Sequence, residues 1–266
     1  MNRFSFKSLF VLATLAASLF VLTGCGSDAK SESPEAAVKA ALEKTSTITS
    51  GNTELKGALS IGSLPGSIAI SGGGPFDTKA EGGPAFKIEL ELKIAGSPQK
   101  FGIAAVDGKN YLLVGDKAIE QKEKKGEAFD SGQIADFIKN LGSYITSAES
   151  SGENTYTATV DVKQLFADNA KKDGGLGNLS IPGLGSADQL TKSLEAADIS
   201  IEVDSEGYAD VLDLNLPIST GGDQGGLRLT IDIGEINEPQ TIEAPTDVVS
   251  DPSELGALGA AVGAGQ

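Results

Sequence analysis

Histidine and tryptophan are absent from the 266 residues, cysteine and methionine occur once each, and aromatic residues make up 5%. Without histidine, neither a Ser-His-Asp nor a Cys-His relay can be built, and histidine metal sites are excluded. The single cysteine, Cys25, leaves no partner for a disulfide within the chain. With so few rings, a core has to be assembled from Leu, Ile, Val and Ala. Cations are scarce as well: 21 Lys and Arg stand against 37 Asp and Glu, a formal net charge of −16. Nucleic-acid binding is built on Lys and Arg neutralising phosphates, so no nucleic-acid partner is expected. The Gly-rich stretches at 72–75 and 174–185 lack the Gly-Lys-Ser/Thr ending and strand-to-helix setting of a phosphate cradle. Asp204-Ser205-Glu206-Gly207 lacks the spaced ligands and the twelfth-position glutamate of a calcium loop, and reads as a turn. Carboxylates are plentiful, but they alternate with apolar residues and so read as a solvated strand face rather than a catalytic acid pair. The expectation is a protein that is not an enzyme and holds no metal or cofactor.

What is present begins at the N-terminus. Arg3 and Lys7 precede an apolar run from Leu9 to Leu22, broken only by Thr14 and Ser18. A run of about 14 residues is short for a membrane span but suits a signal-peptide core. It ends at Leu22-Thr23-Gly24-Cys25, which resembles the lipobox of bacterial lipoproteins. That resemblance implies a diacylglycerol on the Cys25 sulfur and cleavage before it. The expected location is the outer face of the bacterial cell membrane, with the membrane as partner through the lipid anchor. Cleavage would remove Arg3 and Lys7 and no acid, leaving 19 of the 21 basic residues against 37 acidic ones, a net of −18. Anionic headgroups repel such a body, so the anchor must hold it at the membrane. The small, polar residues 26–33 read as a flexible tether of roughly 15 Å.

From residue 33 onward the pattern predicts structure. Ser33 as N-cap with Pro34 at the first helical position starts a short helix, whose Val38, Ala41, Leu42 and Thr45 form one apolar stripe. The period then changes from 3.6 to 2. Thr53, Leu55, Leu59 and Ile61 alternate with polar residues; Phe86, Ile88, Leu90, Leu92 and Ile94 do so most regularly. Phe101, Ile103 and Ala105 lead to an Asp107-Gly108 hairpin and Tyr111–Val114. A helix over 131–141 carries Ile134, Phe137, Ile138 and Leu141. Strands near 143–149 and 155–161 follow, Asp161 caps a third helix with Leu165 and Phe166, and a fourth is expected near 187–196. Residues 171–186 read as a Gly-rich loop. A closing meander runs through Ile199/Ile201/Val203, Leu212/Leu214/Leu216/Ile218 and Leu227/Leu229/Ile231/Ile233. Such alternation means one wet and one apolar face, hence antiparallel sheet. The expected class is α+β: a strongly curved antiparallel sheet, a half-barrel of about 10–11 strands, with 3–4 short helices in its concave face. The divisions are a signal peptide over 1–24, lipidated Cys25 and tether over 25–33, one domain over 34–250 and a Gly/Ala-rich tail over 251–266.

In this order of elements the chain resembles the LppX/LprA/LprF/LprG lipoproteins of actinobacteria and, more distantly, the LolA/LolB-like half-barrels. The matching stretches are the lipobox, Ser33-Pro34-Glu35-Ala36-Ala37, Ala105-Val106-Asp107-Gly108-Lys109-Asn110-Tyr111, the helix at 131–141, Tyr156–Val160 leading to Leu165, and Ile242-Glu243-Ala244-Pro245. The resemblance implies an apolar cavity for acyl chains and an activity in carrying or presenting lipids and lipoproteins outside the cytoplasm. Other envelope proteins are then possible partners. The 171–186 segment, the Gly-Gly-Gly-Pro run at 72–75 and the Gly/Ala tail depart from the pattern. Inward residues Leu59, Ile88, Leu90, Leu92, Ile103, Leu214 and Leu229 are the cavity candidates, with Ile134, Phe137 and Ile138 over them. The same residues also suit an ordinary dry core. A lipid carrier and a non-enzymatic surface module acting through protein contacts therefore both stand at this point.

Overall fold

A computed structural model of the chain describes residues 33–60, 66–94, 96–121, 141–170, 180–181, 185–186, 196–220 and 223–255. Cys25, Ile134, Phe137 and Ile138 lie outside the described residues, as do nearly all of the expected helices at 131–141 and 187–196 and most of 171–186.

Helix α1 (Pro34–Thr45) starts as its sequence predicts. The Ser33 side chain accepts the Ala36 N–H at 3.3 Å, Pro34 opens the first turn, and Val38, Ala41, Leu42 and Thr45 are its buried residues. A short N-cap contact of this kind stabilises a helix by about 1 kcal/mol. Strands β1 (Ser50–Ser60), β2 (Ser67–Asp77), β3 (Ala85–Ile94), β4 (Ser97–Val106), β5 (Lys109–Val114) and β6 (Lys117–Gln121) follow as an unbroken meander. After a 3₁₀ turn at Gly142–Tyr144 come β7 (Ile145–Gly152), β8 (Thr155–Val160) and helix α2 (Val162–Ala170). The Asp161 carboxylate accepts the Gln164 N–H at 2.9 Å, which caps α2. Two-residue strands β9 (Ser180–Ile181) and β10 (Gly185–Ser186) pair with each other apart from the main sheet. The closing meander is β11 (Ala197–Val203), β12 (Ala209–Thr220) and β13 (Asp223–Gly234), and β14 (Val248–Val249) comes last.

These strands make one open sheet of twelve, in the order β14-β6-β5-β4-β3-β2-β1-β13-β12-β11-β8-β7. Every pairing is antiparallel except β14 with β6. The two meanders meet where β1 pairs with β13, Asn52 opposite Gly234. So wide an antiparallel sheet curls rather than lying flat. The expected count was ten or eleven strands. The sheet exceeds it because β2, β6 and β14 are strands that the periodicity did not mark. Only two α-helices occur among the described residues, against three or four expected.

β2 runs through the Gly-Gly-Gly-Pro segment. Gly72, Gly73 and Gly74 have φ of +152°, +137° and +151°, an extended conformation open in practice only to glycine. A Cβ on Gly73 would stand 1.9 Å from the Thr53 carbonyl oxygen, and one on Gly72 2.1 Å from that of Glu89. The run is therefore strand interior, and its glycines let β1 and β3 pack against it.

A second departure concerns faces. In β4–β6 both sides are apolar: Phe101, Ile103, Leu112, Val114 and Ile119 belong to the main core, while Ala104, Tyr111, Leu113 and Ala118 form a separate buried cluster. The Ile103–Val106 and Tyr111–Val114 runs lack alternation for this reason. Beyond β13, Leu255 at the end of a 3₁₀ turn (Pro252–Leu255) is 7% exposed and joins the main core, so the first residues of the expected tail pack on the sheet.

Candidate apolar site

The inner face of the sheet is where the strands concentrate their apolar side chains, and cross-strand register arranges these in rows. One row passes through Ile231, Leu55, Gly72, Leu90, Phe101 and Val114. The next contains Ile233, Thr53 and Gly74, then Ile88, Ile103, Leu112 and Ile119. Of the expected cavity residues, Leu59, Ile88, Leu90, Leu92, Ile103 and Leu229 are all buried in one cluster, and Leu214 is half-buried against it. Sequence reasoning placed these residues on the right face. It passed over Ile70, Phe76, Leu112 and Ile119, which share the cluster. The hairpin at Asp107-Gly108 carried the missing signal, since its register sets Leu112 opposite Ile103.

Polar groups are few at this face. The buried polar residues among those described are Thr45, Ser46, Ser50 and Thr53. Thr53 Oγ1 donates to the Gly74 carbonyl at 2.9 Å, and Thr45 Oγ1 accepts the Ala209 N–H at 2.7 Å while donating to the Ala41 carbonyl at 2.9 Å. Both of these threonine hydroxyls thus serve the backbone. A face of this chemistry can hold hydrocarbon. Among the described residues no set of three or more Asp, Glu, His or Cys side chains is arranged to hold a metal ion.

Helix α1 covers one part of this face. It packs on β7, β8 and β12, at the end of the strand order that finishes with β7. Glu35, whose carboxyl is held below its ordinary value first by its own backbone N–H and then by Ser33, lies 3.5 Å from the Ala148 N–H on edge strand β7. α2 sits by the Gly142–Tyr144 turn, where the Tyr144 hydroxyl donates to Asp168 at 3.1 Å. Burial, then the Asp168 carboxylate, raises the Tyr144 hydroxyl above its usual range. The apolar rows from Leu55 to Val114 belong to the same buried cluster as Val38, Ala41 and Leu42 of α1 and Leu165 of α2.

At one end of the sheet a shallow cleft of about 410 Å³ opens between Pro98, Gln99, Lys100, Val114, Gly115 and Asp116, with Leu255 also lining it. Val114 and Leu255 connect it to the main core. The opposite end is closed by a polar knot. The Asn237 side chain accepts the Thr49 N–H at 2.9 Å and donates to the Tyr208 hydroxyl at 3.4 Å, and the Lys44 ammonium sits 4.5 Å from the Tyr208 ring centre while donating to the Glu206 carbonyl. Asp204 Oδ1 accepts both the Glu206 and Tyr208 N–H groups at 2.8 Å, which makes Asp204–Gly207 the turn expected of it.

No protein-family model matches the chain, and no curated protein matches it either. Among solved structures it is similar to the crystal structure of LprF from Mycobacterium bovis, at 15% sequence identity, covering 81% of this chain and 100% of that one with a TM-score of 0.46.

Proposed function

We propose that the protein is a lipoprotein anchored through Cys25 to the outer face of the cell membrane, and that it binds lipid acyl chains against the inner face of its sheet. The observation that carries the reading is the extent of the continuous apolar inner face over β1–β5. A half-barrel that keeps a hydrocarbon-lined groove there is the form that suits an acyl ligand. The near absence of polar groups at this face suits such a ligand as well, because alkyl chains need no hydrogen-bond partners. The resemblance of the lipobox and element order to actinobacterial lipoproteins points the same way. Two or more acyl chains on Cys25 would hold the protein firmly, since each buried CH₂ contributes about 0.8 kcal/mol and one chain alone is marginal.

The test is native mass spectrometry of residues 26–266, purified gently from a related host so that the anchor cannot confuse the result. An acyl lipid that co-purifies, and is lost from a Leu90→Gln or Ile103→Gln variant whose circular dichroism is unchanged, supports carriage. A bare protein mass with no uptake of added phospholipid overturns it, and leaves an anchored module that acts through protein contacts. Anchoring is tested separately: the full chain labelled with radioactive palmitate should carry label that Cys25→Ser abolishes.

A further inference from the structure

We infer that the protein stands on the membrane by the end of its sheet that bears the β3–β4, β5–β6 and β12–β13 turns, with the opposite end held away from the lipid. The inference rests on the Cys25 anchor proposed above, and adds to it a membrane-facing surface.

Two observations converge on that end. The first is the direction of α1. Its last residue, Thr45, bonds Ala209 beside the β11–β12 turn, whereas Glu35 in its first turn meets Ala148. Ala148 lies in register with Ala158, Ile199, Leu214, Leu229 and Gly57, three residues short of the Ser60 end of β1. Ser33, the first described residue, therefore lies toward the β3–β4 end. Eight residues separate Cys25 from Pro34, about 15 Å as a flexible coil. Strand β1, with 11 residues, is roughly 37 Å long, so the far end lies well beyond the ordinary reach of the tether.

The second observation is the cleft bounded by Pro98, Lys100, Val114 and Asp116, which opens at this same end and is thereby set facing the lipid.

The measurement uses the full lipidated chain in vesicles of phosphatidylglycerol and phosphatidylethanolamine. With Cys25 acylated, an introduced cysteine is the only free thiol. Ser97→Cys at the near end and Glu153→Cys at the far end, both exposed, the first opening β4 and the second in the β7–β8 turn, take a thiol-reactive dye, and quenching by headgroup-nitroxide lipid is compared. The expected result is several-fold stronger quenching at position 97 than at 153. Equal or reversed quenching in protein that floats with the vesicles overturns the orientation alone. Protein that fails to float overturns the anchor and the orientation together.

Discussion

Replacing Thr45 by valine removes one oxygen from the interior while keeping the shape of the side chain. Thr45 is fully buried, as is Ala209, whose N–H is bonded to the Thr45 hydroxyl at 2.7 Å. That N–H has reason to need a side-chain acceptor, because the β11–β12 register shifts between Glu202 and Val203 just where Ala209 enters the ladder. Valine would leave the donor buried without a partner, at a cost of about 1–3 kcal/mol. The Ala41 carbonyl, which also loses a contact, keeps its place in a helix and adds little. Valine and threonine have similar helix propensities, so that difference is small. For a urea slope of about 2–3 kcal/mol/M, a loss near 2 kcal/mol lowers the unfolding midpoint by about 0.7–1 M. Thr53→Val is the comparison: its hydroxyl donates to a carbonyl at Gly74, and an under-satisfied carbonyl is better tolerated than an orphaned N–H. Equilibrium urea unfolding of the two variants decides the matter. If Thr45→Val unfolds within about 0.3 kcal/mol of the parent, or is milder than Thr53→Val, the Ala209 N–H does not depend on the hydroxyl and the reasoning fails.

The glycine run in β2 and an isolated carboxylate give two further expectations. Gly73→Ala would drive a methyl to 1.9 Å from the Thr53 carbonyl and should cost more than about 4 kcal/mol. Gly83→Ala, also at positive φ but with nothing within 4 Å, should cost about 1 kcal/mol; equal midpoints for the two in denaturant would refute the packing argument. Asp210 has its carboxyl raised above the ordinary value, first by burial and then by Asp204 and Asp232. A raised folded pKa means the native state holds its proton to higher pH than the unfolded chain, so stability falls as pH rises through that interval. Asp210→Asn should therefore raise the melting temperature slightly at pH 7, with the gain shrinking as pH drops below the carboxylate range. A gain that persists undiminished at low pH would rule this origin out.

How far the sequence could be read follows from how local each signal is. The Ser33-Pro34 start and the Val38/Ala41/Leu42/Thr45 stripe lie within one helix, and the structure buries those four residues together. β3 and the strands from Ala197 to Gly234 repeat every second residue, and the turn at Asp204–Gly207 holds. β2 was hidden because three glycines and a proline are turn chemistry, and their strand role depends on the neighbouring carbonyls of β1 and β3. Its even-numbered apolar residues, Ile68, Ile70 and Phe76, were the available hint. β14 is two residues long and exists through its pairing with Ala118 and Ile119, a contact between distant parts of the chain. Inward residues such as Leu90 and Ile103 could be assigned to a face from alternation, but alternation does not say which row they join. That depends on strand order, which no local pattern encodes.

The pairing of β1 with β13 also constrains how the chain becomes structured as it emerges. Asn52 finds Gly234 across most of the domain's length, whereas each pairing from β1–β2 to β5–β6 joins strands adjacent in sequence. The first six strands can assemble as they emerge, and local pairings of this kind form quickly. Until the last meander arrives, however, β1 is an unpaired edge of 11 residues, a template for any other extended chain nearby. The native sheet hides that edge at its centre, and leaves at its margins a strand of two residues at β14 and, at β7, one with register irregularities near both ends and a carboxylate against its Ala148 N–H. The hazardous interval is therefore the time between release of Ser60 and release of Gly234, and the rate at which the chain emerges sets its length.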